Sequence, residues 1–176
     1  REEEVMERLR REIEKALRES HEIDDRLRKR IEDVLRDSER KLEELRRRIK
    51  KVMDDVRRDV DSERLREVEK IIKELEERVD DLRKKSRDSA RRLKELVDES
   101  NKRSRDIARR LKEEVDRLGG SEEAVRKIRE ELERMKEEND RVLKEIDKDL
   151  KDDDRKIEEV VERIERILRE LRERVR

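Results

Sequence analysis

The stretch VDSERL, residues 60–65, decides how many helices this chain has. Before it, core-type positions step by three or four from Met6 through Leu9, Ile13, Ala16/Leu17, Ile23, Leu27, Ile31 and onward to Val56 and Val60, with Ser20 and Ser38 filling two slots. After Val60 the next apolar residue is Leu65. A jump of five carries the stripe about 140° round a helix and off its face. The same tetrapeptide occurs earlier as Asp37-Ser38-Glu39-Arg40, but there the phase continues, so the helix runs through it. The second copy breaks the phase. Val60-Asp61 therefore reads as a tight loop and Ser62 as the N-cap of a new helix.

The seam resumes at Leu65 and runs through Val68, Ile72, Leu75 and Val79 to Leu111, Val115 and Leu118. GGSEEA follows, in which Gly119-Gly120 ends one helix and Ser121 caps the next. A third seam runs from Val125 to Val175 and keeps its phase through DKDLKDDD. These breaks predict an all-α fold: one bundle over residues 1–176, with helices near 2–59, 62–118 and 121–176 and loops at 60–61 and 119–120. Each helix has about 57 residues and is about 85 Å long. Short loops between equal helices imply an elongated, antiparallel up-down-up three-helix bundle. The first seam advances by about 3.6 residues per step, the period of a straight helix rather than of a supercoil. A nearly untwisted bundle with a coiled-coil-like core is expected. SRDSARRLKELVD from Ser86 also recurs as SRDIARRLKEEVD from Ser104, a spacing of 18 residues or five whole turns.

Composition agrees with a narrow core. Charged residues make up 64% of the chain and apolar ones 29%, close to the two-in-seven share of a coiled-coil seam. The 56 cationic and 56 anionic side chains balance. Phe, Tyr, Trp, Cys, Pro, Gln and Thr are all absent, an alphabet natural domains have little reason to adopt. Without cysteine there is no disulfide or thiol chemistry, and neither a membrane span nor a signal peptide is visible. The chain opens on Arg1, so removal of a start residue is expected.

Polar residues on the seams carry the remaining information, because a buried hydroxyl or amide costs stability unless hydrogen-bonded. Residues at one height on antiparallel helices have a constant index sum. Ser20 with Ser104 gives 124, and so does Ser38 with Ser86; Ser100 with Asn139 gives 239, and so does Ser86 with Asp153. Two layers are expected. One holds Ser20, Ser100, Ser104 and Asn139, with His21, Asp24 and Asn101 at its edge. The other holds Ser38, Ser86 and Asp153 or Asp154, with Ser89 nearby.

With its reduced alphabet, straight 18-residue repeat and layered polar positions, the whole chain resembles de novo designed, parametrically generated helical bundles with buried hydrogen-bond networks. That resemblance implies polar residues that specify assembly rather than perform chemistry. The alternative is that some of these serines face solvent on a drifting seam. His21, the only histidine, has no second histidine and no Glu three positions before it, where Arg18 stands, so no catalytic, metal or cofactor site is expected. LRRRIKKV, residues 45–52, is followed at once by Asp54 and Asp55 and has no aromatic neighbour, which argues against nucleic acid. KDDDRK, residues 151–156, puts successive carboxylates on different faces and cannot converge on one cation. The expectation is a structural scaffold, not an enzyme, needing no partner, cofactor or membrane. The alternative is an interaction module that self-associates or accepts a partner helix. Cellular location is not encoded; a soluble synthetic chain would be expected in the cytoplasm of its host.

Overall fold

A computed structural model describes residues 1–175, with side chains to residue 174. It contains α1 (Glu2–Asp59), α2 (Ser62–Leu118) and α3 (Glu122–Val175), and no strand among the described residues. The expected helical end at residue 176 and the side chain of the seam residue Val175 lie outside the described part. Proline is absent and the two glycines are confined to a turn, so nothing interrupts the helices. Glu2, Glu3 and Glu4 open α1, and Arg57 and Arg58 close it, each sign favouring its end of the helix dipole.

The first turn differs from expectation in one detail. Asp61, not Ser62, is the N-cap of α2: its Oδ1 accepts the Arg64 N–H at 3.0 Å and its carbonyl accepts the Leu65 N–H at 2.9 Å. A carboxylate caps as well as a hydroxyl and adds favourable charge at the helix start, so the aspartate takes the position. At the second turn Ser121 caps α3 through the Ala124 N–H at 3.2 Å. Gly119 has φ 69°, the left-handed conformation in which its N–H closes on the Val115 carbonyl at 2.9 Å. Gly120 lies against the start of α1, where an added Cβ would come 2.7 Å from the Glu2 carbonyl oxygen and 3.0 Å from Val5 Cβ.

All three helices contribute to each of two compact units. The first comprises residues 1–31 and 92–148; the second comprises residues 32–91 and those from 149 onward. In the first, Leu9, Ile13, Leu111, Val115 and Ile128 are almost wholly buried and pack with Met135. In the second, Leu42, Ile49, Val56, Leu75 and Ile164 form the corresponding core. Side chains beside these cores fix the helix directions. Between α1 and α2, Arg10–Asp116, Glu14–Lys112 and Arg28–Asp98 in the first unit each sum to 126. In the second unit Glu39–Arg87, Arg46–Asp80 and Arg57–Glu69 do the same. A constant sum means antiparallel helices. Between α1 and α3 the pairs Glu12–Arg129 and Arg30–Asp147 in one unit, and Lys41–Glu158, Arg48–Glu165 and Asp55–Arg172 in the other, differ by 117. A constant difference means parallel helices. Each unit is therefore an up-down-up three-helix bundle. Surface ion pairs contribute roughly 0–1 kcal/mol apiece, so apolar burial holds the helices together and the charges choose among registers.

Candidate functional site

In the first unit five polar side chains occupy core positions: Ser20, Asp24, Ser100, Ser104 and Asn139, all at most 6% exposed. Ser20 Oγ donates to Ser104 Oγ at 2.8 Å, and Ser104 Oγ donates to Asn139 Oδ1 at 3.5 Å. The Ser20–Ser104 pair has the index sum of 124 expected of it. Asn139, however, meets Ser104 rather than Ser100, a sum of 243 in place of 239. Seam residues repeat every three or four positions, so polar spacing alone leaves Ser100 and Ser104, one turn apart, equivalent. The charged pairs Arg103–Glu138, Arg110–Glu131 and Glu114–Lys127 all sum to 241, midway between the two, so the hydrogen bond itself is what places Asn139 on Ser104.

Asp24 lies deeper than the edge position expected for it. It is 2% exposed while its neighbour Ile23 is only half-buried, so the inward positions of α1 run Ser20, Asp24, Leu27, Ile31. His21 and Asn101 are half-buried. Asp24 Oδ2 and Asn101 Oδ1 are both buried and accept no hydrogen bond. Burial raises the Asp24 carboxyl from 3.8 to about 6, against the opposing charges of His21 and Arg28.

The second unit holds the other candidates. Ser38 is buried, whereas Ser86, Asp153 and Asp154 are half-buried. The hydroxyl that donates to Asp153 Oδ2 belongs to Ser89, not to Ser86. The same register shift accounts for this, because it brings a residue three positions later on α2 to the height of Asp153. The consecutive aspartates take separate partners: Asp152 pairs with Arg155, Asp153 with Ser89 and Asp154 with Lys41. The hydrogen bond to Glu158 keeps the Lys41 ammonium protonated well above the ordinary lysine range, against burial and with help from Asp37 and Asp154. Burial pushes Asp37 up, but hydrogen bonds from Lys41 and Arg40 outweigh it and hold its carboxyl below the usual range.

The groove of about 600 Å³ near Val5 and Val125 and that of about 400 Å³ near Val52 and Leu168 are rimmed by exposed Arg, Lys and Glu, and neither includes a seam serine, Asn139 or Asp24. Among the described residues no group of three or more His, Asp or Glu is placed to hold a metal ion, and no helix is apolar enough to cross a membrane.

A larger repeat than the one in α2 emerges once the pairs are known. Leu-Arg-x-x-Ile occupies residues 9–13, 27–31 and 45–49, its Leu and Ile buried each time. Opposite stand Val79-Asp80, Val97-Asp98 and Val115-Asp116, each valine buried and each aspartate paired with Arg46, Arg28 or Arg10. On α3, Ile-x-x-x-Leu recurs at residues 128–132, 146–150 and 164–168. One layer is thus written three times on every helix, 18 residues apart. The signal was present in the sequence, hidden because arginines flank the seam rather than occupy it. Compared with family models, curated proteins and solved structures, the chain matches none.

Proposed function

We propose that the chain is a designed structural scaffold without a natural biochemical activity, built to specify straight helices, a coiled-coil-like core and buried hydrogen-bond networks. The thrice-written layer supports this reading most directly: a core Leu/Ile step on α1, a core Val on α2 and an Arg–Asp pair between them, all at 18-residue spacing. Repetition of one packing solution serves construction, whereas a binding or catalytic site would require a place where the pattern departs toward a ligand. In this reading the bonded polar groups around Ser104 penalise misregistered packings, since any slip strands a buried donor or acceptor. No enzyme activity, cofactor, nucleic acid or membrane belongs to it.

A second reading has its own support. Leu118 and Leu143 are 36% and 37% exposed, and Ile71 and Ile167 are only partly buried beside the core of the second unit. These side chains would suit an interaction module that self-associates or accepts a partner helix. Light scattering across a hundredfold range of concentration separates the two. The scaffold reading expects a constant mass of 21.8 kDa. A mass that rises to a multiple of that value supports the interaction module instead.

A further inference from the structure

We propose that Asp24 is a proton-operated clasp in the first unit: protonated, it donates Oδ2–H to Asn101 Oδ1, and ionised, it draws the Arg28 guanidinium from Asp98. The geometry begins with two buried oxygens, Asp24 Oδ2 and Asn101 Oδ1, neither of which has a partner. Two acceptors cannot bond to each other as they stand, and a proton on Asp24 satisfies both without a half-turn of the Asn101 amide. Their residue numbers sum to 125, one short of the α1–α2 register, so they stand at one height on facing helices. Arg28 lies one turn beyond Asp24 on the same face of α1. Its Nη2 is on Asp98 Oδ1, while its buried Nε has no partner. An ionised Asp24 therefore has an unused donor within one turn, and a protonated one has an unused acceptor across the interface.

The surrounding charges leave the balance near neutrality. His21, Asp25 and Arg28 act from α1, and Asp98 acts from α2. From α3 the register brings Arg141, which is already held by Glu138 at 2.7 Å. Burial dominates and favours the neutral acid, with a midpoint of about 6. Because the folded state binds this proton more tightly than the unfolded chain, stability falls as pH rises from about 4 through about 6 and is level above that.

The test is a carboxyl-detected NMR titration of the full chain, with urea unfolding of Asp24→Asn between pH 4 and pH 7. The Asp24 carboxyl is expected to titrate about two units above the ordinary aspartate value, with Asp98 reporting the same midpoint as Arg28 moves. In Asn101→Ala, a change at a half-buried site, the midpoint drops by at least about half a unit as the proton loses its acceptor. Asp24→Asn supplies a non-titrating donor, so the pH dependence over that range disappears and the unfolding constant at pH 7 falls about 100-fold. An Asp24 midpoint near 4, or one unmoved by Asn101→Ala, overturns the proposal. An Asp98 signal indifferent to the Asp24 titration overturns the arginine exchange.

Discussion

Replacing Ile49 with alanine lowers the unfolding free energy by about 3–4 kcal/mol, read from the urea midpoint and slope. Ile49 is 0% exposed and packs in the second unit among Leu45, Val52 and Val56. With only 29% apolar residues, the seam is narrow and has few side chains to close over a missing one. The cavity therefore persists, and its cost adds to the lost transfer energy. Leu143→Ala is the control. At 37% exposure, Leu143 loses little when truncated, and the change stays within about 0.5 kcal/mol.

Replacing Ser104 alone with leucine costs about 3 kcal/mol, more than replacing Ser20, Ser104 and Asn139 together with apolar residues of fitting volume. Ser104 is the centre of its layer, accepting from Ser20 and donating to Asn139. Its loss leaves the Ser20 hydroxyl and Asn139 Oδ1 buried without each other or a substitute, and the larger side chain must be fitted between them. The combined change removes every orphan at once, and a packed apolar layer is often as stable as a satisfied polar one. Chemical denaturation of both variants reads the contrast. Equal stability of the single variant and the parent would mean that Ser104 does not join its neighbours.

Helix number and direction were legible because they rest on phase. The five-residue jump from Val60 to Leu65 and the Gly119-Gly120 pair mark the two places where the pattern cannot continue. The choice of cap at Asp61 was not legible, since adjacent Asp and Ser satisfy the same N–H groups and only the backbone geometry decides between them. The α1–α2 register could be approached from Ser20 and Ser104, a pair the structure joins by a hydrogen bond. The α2–α3 register could not, because Ser100 and Ser104 are separated by one turn and present the same polarity to Asn139. The flanking charges do not separate them either, because their sum of 241 lies midway between the two pairings. Asp24 was misplaced for a related reason: Ile23 beside it is the more apolar residue, yet the helical step from Ser20 to Leu27 turns the aspartate inward.

The three helices close on one another within a single chain, and each unit holds one register. The α1–α3 contact tests this best, because these helices are not consecutive and no single turn sets their alignment. Glu12 and Arg129 face each other there at 3.4 Å, and the chain contains no cysteine of its own. With Glu12→Cys and Arg129→Cys introduced together, a short thiol cross-linker should bridge the two within one molecule and leave the mass at that of one chain. The pair Glu12→Cys with Glu133→Cys, one turn out of register, should react far less. Bridges formed between molecules, or equal reaction of the shifted pair, would mean that α1 and α3 do not pack in this register within one chain.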